Sequence, residues 1–358
     1  MRREFCWTMP FLAMWVGLSL VPLAFASDDG FDPEIVDVDT VGAVIPLVTV
    51  ESQNRLYLLF PVRGLRVFDV SDRENPVLVG KLPGHLPGSH EFRFRDMAVD
   101  KDVVYMAGRG TVEADGAYEP VSVLIYDLSD PANPERLGYV SGNGSRGIDV
   151  EGDRLFLTLF PRGLAVYEWD GESDPSLVAL DPAPRAKGIM EDKDRLYVGG
   201  HHKFGVYDVK KQELALLGAT AIGGPGRRIE VDHDTAYVSA LWGGLRIVDV
   251  KDPSSPAEVS SFVSESGWCW DSCVRGHDLF LAYGRRPASF VILDVLHPEE
   301  PEIAAELALS PDTAALSLDV HGDHAWVSSR LALPRTGTGF RPARLHTLRL
   351  HGNGGEEG

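Results

Sequence analysis

The sequence predicts an all-β fold built from seven repeated sheets, and three observations carry this prediction. One sequence phrase recurs at residues 55–76, 154–175 and 235–256. In each copy an apolar segment is followed by Gly-Leu, a second apolar segment, an acidic residue and proline. Segments of alternating apolar and polar residues, bounded by Gly, Pro and Asp, indicate strands, and no sustained helical stripe occurs. After a first interval of 58 residues, the acidic residue of the phrase returns every 40–45 residues, at Asp69, Asp127, Glu168, Asp208, Asp249 and Asp294.

A period of about 40–45 residues is that of a propeller blade made of four strands. Counting the aromatic residue of each second strand gives seven units, at Tyr57, Tyr105, Phe156, Tyr197, Tyr237, Phe280 and Trp326. We therefore predict a seven-bladed β-propeller with four-stranded antiparallel blades. An open β-solenoid is the alternative, although its repeats are usually shorter.

Residues 27–350 are predicted to form one propeller domain. The blades are expected near residues 43–84, 85–142, 143–185, 186–226, 227–267, 268–313 and 314–350. The seventh unit lacks its outer strand, whereas residues 33–42 near the N-terminus carry the outer-strand pattern. We expect this N-terminal strand to complete the last blade, because closing the ring removes two open sheet edges. Residues 351–358 are predicted to be a disordered tail.

The first 26 residues have the pattern of a secretory signal peptide. Arg2 and Arg3 are followed by an apolar stretch, and Ala24-Phe25-Ala26 is a cleavage signal of the A-x-A type. Cleavage after Ala26 would export the protein to the periplasm or the cell surface. The alternative is an uncleaved membrane anchor, but the run is shorter than the roughly 20 residues of a spanning helix.

The composition limits the classes of function. A formal net charge of −19 argues against a general nucleic-acid binder, since contacts to phosphates need a basic surface. We expect a soluble exported monomer with no cofactor, no bound metal and no transmembrane segment after signal cleavage.

The repeated phrase, in its copies at residues 243–259 (GGLRIVDVKDPSSPAEV) and 123–138 (VLIYDLSDPANPERLG), resembles the LVIVD-repeat family of exported β-propellers. The resemblance covers most of residues 33–350. Blade four departs from the pattern because it lacks the double proline, and blade seven is degenerate. The resemblance implies a propeller, an envelope or surface location and a role in interaction. It brings no catalytic residues.

The repeated acidic residues are predicted to be structural. Each follows an apolar strand and precedes a tight turn, where an Asp side chain accepts backbone N–H groups and Pro restrains φ. These turns join the third and fourth strands of the blades, so they should share one face of the disc, which we call the turn face. The variable loops lie on the opposite face, the loop face, where binding chemistry is expected.

The residue ten positions before the second-strand aromatic is a cation in four successive blades. These residues are Arg95, Arg146, Lys187 and Arg227. Because this position begins the inner strand, the symmetry of a propeller should gather them at the mouth of the central channel. Arg228 follows directly, and Trp270 takes the equivalent position in blade six. Arginine suits bidentate capture of carboxylate or phosphate, so we predict an anion site formed by these six residues.

Two observations keep another interpretation of these cations open. Asp96, Asp149, Glu230 and Asp271 lie on or beside the same strands, and pairing with them would neutralise the cations without any ligand. The cations also share strand parity with core residues such as Ile148, so they face the channel only if the strand begins just after them.

Four further residues are candidates for the rim of the site, namely His90, His202, Trp242 and Arg285. Histidines on a loop can ligate a metal, but no carboxylate is spaced to complete a site here. Trp242, Trp268 and Trp270 can form a stacking surface for sugar or peptide, or simply pack between blades.

Cys269 and Cys273 are the two cysteines that would remain after signal cleavage. Two thiols in an oxidising compartment can pair, but positions four apart along a strand are separated by about 13 Å. A disulfide wants Cα atoms closer than about 7 Å, so a bond requires a bend at this point.

These features together predict a binding module that engages an anionic ligand or acidic partner at the channel mouth. An envelope protein, a polysaccharide or a small carboxylate would fit. An envelope hydrolase or lyase acting on an anionic substrate at the same mouth is the alternative, as is a purely structural scaffold of a surface assembly.

Overall fold

The computed structural model describes the chain in segments separated by short gaps. These segments are residues 25–26, 32–42, 48–84, 89–114, 116–161, 163–182, 185–210, 213–264, 267–284, 287–310, 313–331 and 343–351. Within them the regular structure is entirely β, with 29 strands and no helix. The predicted all-β class is therefore confirmed.

The strands are numbered in chain order. Two precede the first blade, β1 (Phe25–Ala26) and β2 (Asp32–Gly42). Blade one holds β3 (Val48–Ser52), β4 (Arg55–Phe60), β5 (Gly64–Asp69) and β6 (Val77–Pro83). Blade two holds β7 (Ser89–Asp100), β8 (Val103–Ala114), β9 (Ala117–Asp127) and β10 (Glu135–Ser141). Blade three holds β11 (Ser145–Glu151), β12 (Arg154–Leu159), β13 (Leu164–Glu168) and β14 (Ser176–Asp181).

The remaining blades repeat this order. Blade four holds β15 (Ala186–Asp192), β16 (Arg195–Gly200), β17 (Lys203–Asp208) and β18 (Ala215–Ala221). Blade five holds β19 (Arg228–Asp232), β20 (Thr235–Ser239), β21 (Leu245–Asp249) and β22 (Ala257–Phe262). Blade six holds β23 (Cys269–Arg275), β24 (Asp278–Tyr283), β25 (Ala288–Asp294) and β26 (Glu302–Ser310). Blade seven holds β27 (Thr313–His321), β28 (His324–Leu331) and β29 (Ala343–His351), together with β2.

Each blade is an antiparallel meander, and the blades form a closed ring. The inner strand of each blade contacts the inner strand of the next, and β27 of blade seven returns to β3 of blade one. The predicted seven-bladed propeller is therefore confirmed. In the full-length chain the two-residue strand β1, whose residues belong to the predicted signal peptide, pairs with β26 at the outside of blade six.

The N-terminal strand closes the last blade, as the fold prediction required. β2 runs antiparallel to β29, from Asp32 opposite His351 to Gly42 opposite Ala343. This pairing satisfies the backbone groups of β29 that would otherwise form an open edge.

The core lies between neighbouring blades. The seven second-strand aromatics counted in the sequence are all buried, with at most 3% of the surface of any one exposed. Such large side chains fill the wedges between twisted sheets, and their burial is a principal source of stability.

The repeated acids have the structural role that the sequence predicted. Asp69 accepts the backbone N–H of Ser71 at 2.8 Å, and Asp249 accepts that of Lys251 at 2.8 Å. Asp127, Asp208 and Asp294 make the same contact with the residue two positions on. The turn face therefore carries these carboxylates as turn-forming groups, and those of Asp69, Asp249 and Asp294 are exposed.

Candidate functional site

A β-bulge recurs at one point of the inner strands and explains where the cations lie. The register with the second strand shifts between Phe94 and Asp96, so that Arg95 is the extra residue. The same shift leaves Arg146 as the extra residue in blade three and Lys187 in blade four. Arg227 directly precedes the first residue of β19. Since a bulge redirects the side chain of the extra residue, it removes the parity conflict seen in the sequence.

Blades six and seven carry the same bulge with apolar residues. Their extra residues are Trp270 and Leu316. The equivalence that the sequence drew between Arg95, Arg146, Lys187 and Trp270 therefore holds in three dimensions.

The cations meet at a cavity on the channel axis, which we call the mouth cavity. It has a volume of about 430 Å³ and is lined by residues from blades one to six. Arg95, Arg146, Lys187, Arg227 and Arg228 all contribute to its wall, with Asp96 and Asp271 as its carboxylates. The structure thus brings together all five predicted cations.

Burial and neighbouring cations disfavour the charged forms of Arg95 and Lys187 in this cavity. Burial, followed by the neighbouring Arg146, lowers the pKa of Arg95. Burial also lowers the pKa of Lys187, as do Arg146 and Arg227. Desolvation is the first cause of both shifts and the neighbouring like charges add to it, so a bound anion would stabilise both cations.

The acids of the same strands do not pair with Arg95, Arg146 or Lys187. Asp96 accepts the backbone N–H groups of Met97 at 3.0 Å and of Ile148 at 3.1 Å. Asp149 accepts those of Val150 and Glu191 in the same manner. Among the described residues, no carboxylate lies within ion-pair distance of Arg95, Arg146 or Lys187. Internal salt bridges therefore do not account for these three cations.

Arg228 differs from the other cations because it has carboxylate partners. Its Nε lies 3.0 Å from Glu230 Oε1 and 3.6 Å from Asp271 Oδ1. Burial opposes its charge, but Glu230, Asp271, Asp96 and Asp149 outweigh burial and raise its pKa. The predicted ligand role thus has the least support at Arg228, whose charge is already compensated.

Arg227 and Trp270 lie side by side at the mouth. The guanidinium carbon of Arg227 lies 5.4 Å from the centre of the Trp270 ring, a cation–π contact. Burial lowers the pKa of Arg227, while Asp271 and Asp96 act against that shift.

A second basic cavity adjoins the first and contains residues that the sequence prediction missed. Arg93, Arg95 and Arg109 line this hairpin cavity of about 480 Å³, and Arg95 belongs to both cavities. Arg109 and Arg146 each lie 5.1 Å from the centre of the Phe160 ring. Strand alternation could not have linked Arg93 to Arg95, because the bulge at Arg95 interrupts the period of two.

Two of the four predicted rim residues lie within the described part of the chain. His202 and Trp242 are exposed on loops of the loop face. The side chain of His90 and the whole of Arg285 lie outside the described residues. His201 and His202 also line a rim cavity of about 570 Å³ with Arg185 and Lys203.

Cys269 and Cys273 are free thiols, so the disulfide that the sequence left open is not formed. Both lie on β23, where Cys269 faces Tyr283 and Cys273 faces Phe280 of the next strand. β23 carries its bulge at Trp270, between the two cysteines, but does not bend enough to bring the thiols together. Burial raises the pKa of both thiols to about 12, which makes them poor nucleophiles.

Within the described segments, no group of three or more His, Cys, Asp or Glu side chains is arranged to hold a metal ion. The same segments contain no helix that is long and apolar enough to cross a membrane.

Comparison with known proteins identifies the repeat and the fold. Residues 223–263, which span blade five, match the LVIVD repeat family. The sequence matches no curated protein. The structure is similar to the crystal structure of the computationally designed Ika8 protein, with a TM-score of 0.56 and 9% sequence identity, over 85% of this chain and 96% of that chain. At this identity the similarity concerns the fold alone.

Proposed function

Because this chain is a seven-bladed β-propeller with LVIVD repeats, we propose that it is an exported binding module that engages an anionic partner at its channel mouth. One observation carries the proposal. Bulges in successive blades direct the side chains of Arg95, Arg146 and Lys187 toward a single cavity. Among the described residues, no carboxylate forms an ion pair with these three side chains. A cluster of like charges costs free energy, and an anionic ligand would recover it.

Binding is favoured over catalysis by the state of the carboxylates in the mouth cavity. The two oxygens of Asp96 each accept a backbone N–H group, and so do the two oxygens of Asp271. A carboxylate held in this way serves the framework, whereas a general base needs a free oxygen that reaches the substrate.

We predict that the triple variant Arg95→Gln, Arg146→Gln, Lys187→Gln loses anion binding and keeps its fold. Each charge-assisted hydrogen bond contributes about 1.5–3 kcal/mol, so losing even one weakens binding by roughly tenfold or more. Isothermal titration calorimetry with citrate at low ionic strength measures the loss. Wild-type binding should also weaken between about 0.02 and 0.3 M salt, because the salt screens the charges.

The matched control is Lys193→Gln, Lys210→Gln, Lys251→Gln, which removes the same charge from exposed residues of turns on the opposite face. Citrate should bind this control as it binds the wild type. Equal losses in both triple variants would show that only net charge matters, and an unchanged affinity in the first would refute the site.

The exported location rests on the N-terminal sequence and has its own test. We expect the protein recovered from the cell envelope to begin at Ser27, as mass spectrometry of the intact protein would reveal. Ala24→Lys should leave the precursor uncut, since the −3 position of the cleavage site requires a small residue. Recovery of the full-length chain from the cytoplasm, or uncut in the membrane, would contradict export by cleavage.

A further inference from the structure

A row of aromatic side chains leads from the mouth cavity to the rim of the disc. The row consists of Trp270, Trp268, Trp242, His201 and His202. Successive ring centres are 5.2, 5.7, 6.2 and 4.7 Å apart. At its inner end Trp270 contacts Arg227, and at its outer end the two histidines line the rim cavity.

Three different loops build this aromatic row on the loop face. His201 and His202 join β16 to β17, Trp242 joins β20 to β21, and Trp268 precedes β23. Trp242 is 45% exposed, an unusual state for the largest apolar side chain. Trp268 and Trp270 are half-buried, so part of each surface remains open.

The backbone beneath the row is already paired. Cys269 donates its N–H to the carbonyl of Leu241 at 2.9 Å, and Gly284 donates to that of Trp268 at 2.7 Å. A peptide that binds an extended surface usually adds a strand through free backbone groups. Here the row offers ring faces instead of a free strand edge.

Charge and aromatic surface are also separated along the row. The cations concentrate at the mouth end, where Arg95, Arg146, Lys187 and Arg227 share one cavity, and a continuous run of rings follows. An acidic peptide carries a carboxylate as often as every residue, about 3.3 Å apart, and would need cations along its whole path. A chain of sugar rings instead presents apolar C–H faces for the indoles and places one carboxylate on each acidic ring.

We propose that this face binds an acidic polysaccharide, with a uronate carboxylate in the mouth cavity and the following sugar rings along the aromatic row. The inference rests on the proposed anion-binding function and names the class of partner for the same site. The rim cavity beyond His201 has a mixed charged lining of Arg185, Lys203 and Asp181 and gives a longer chain further room.

The test compares uronic acid oligomers of increasing length. Galacturonate, hexagalacturonate and hexamannuronate are titrated into the wild-type protein by calorimetry, with ligand-observed NMR for the weaker monomer. We expect either or both hexamers to bind at least about tenfold more tightly than the monomer, because only a longer chain reaches Trp242. Trp242→Ala should weaken binding of the hexamer about tenfold and leave the affinity for the monomer unchanged.

Two variants serve as controls. Tyr118→Ala removes another exposed aromatic side chain, one that lies outside the row, and should not alter binding of either oligomer. Trp242→Phe keeps an aromatic face and should restore most of the affinity for the hexamer.

The outcomes separate this inference from the function on which it rests. If citrate and the monomer bind but neither hexamer binds more tightly, the polysaccharide inference fails and the anion site stands. If hexaglutamate binds as tightly as the hexamers and depends equally on Trp242, the partner is an acidic peptide and the inference also fails. If no anion binds at all, the proposed function itself fails.

Discussion

Four buried aspartates join neighbouring blades through single hydrogen bonds. Asp149 accepts the N–H of Glu191 at 2.6 Å, and Asp319 accepts that of Glu51 at 2.6 Å. Asp96 and Asp271 make the same kind of contact with Ile148 and Leu318. These bonds cross the gap between blades near the axis, where otherwise unpaired backbone donors would lie buried. At the scale of the residue, these aspartates therefore stabilise the contact between blades, and they do not pair with Arg95, Arg146 or Lys187 in the mouth cavity.

These residues predict a pH dependence of stability. Burial raises the pKa of Asp149 to about 6, while an unfolded Asp titrates near 3.9. Between these two pKa values, the Asp149 carboxyl is protonated in the folded state and ionised in the unfolded state. The contribution of Asp149 is thus fully present below about pH 4 and is lost as pH rises through 6, by about 3 kcal/mol. In Asp149→Asn, the free energy of unfolding measured with urea should fall less steeply between pH 4.5 and 7.

Asp252→Asn is the control for this measurement. The hydroxyl and N–H of Ser254 lower the pKa of that exposed carboxyl, so it stays ionised over the whole range. Its removal should not change the slope between pH 5 and 7. Identical slopes for the wild type and Asp149→Asn would mean that Asp149 is ionised in the folded protein throughout.

At the scale of the element, the repeated turn between the third and fourth strands accounts for a glycine in the outer strand of the blade before it. A Cβ atom added to Gly80 would lie 2.1 Å from the carbonyl oxygen of Pro131, in the turn of the next blade. Gly218 has the same relation to Ser254, at 2.5 Å. The turn of one blade thus docks against the outer strand of the blade before it, and at Gly80 and Gly218 any side chain would clash with the backbone of that turn. Ala179 takes this position in blade three, and the turn that follows in blade four lacks the double proline.

β2 stabilises the closure of the ring. Its backbone pairs with β29 over the whole strand, and Ile35 packs against the core cluster of blades six and seven. Deleting residues 32–42 should lower the free energy of unfolding by at least about 3 kcal/mol, since each lost hydrogen bond contributes about 1 kcal/mol. Thermal denaturation should show a fall of several degrees, with association through the exposed edge of β29.

Deletion of residues 27–31, which lie outside the described strands, is the control for β2 and should leave the transition in place. An unchanged midpoint after removal of residues 32–42 would mean that the ring holds together without its N-terminal strand.

At the scale of the whole molecule, the two faces of the disc differ in charge. The turn face carries exposed aspartates such as Asp69 and Asp249, and the loop face gathers the cations of the mouth and hairpin cavities. A positive cluster on a chain of net charge −19 creates a local field that attracts anions while the rest of the surface repels them. Such an asymmetry would orient an approaching anionic partner toward the channel mouth.

The sequence by itself determined the blades, their number, the turn role of the aspartates and the equivalence of Arg95, Arg146, Lys187 and Arg227. These follow from period and alternation, which are properties of the chain alone. Only the tertiary structure decided that bulges direct the side chains of Arg95, Arg146 and Lys187 toward the channel, because a shift of one residue depends on pairing with the next strand. It also decided that Asp149 bonds to the neighbouring blade and that Trp242 meets Trp268, since such contacts join segments that only ring closure brings together.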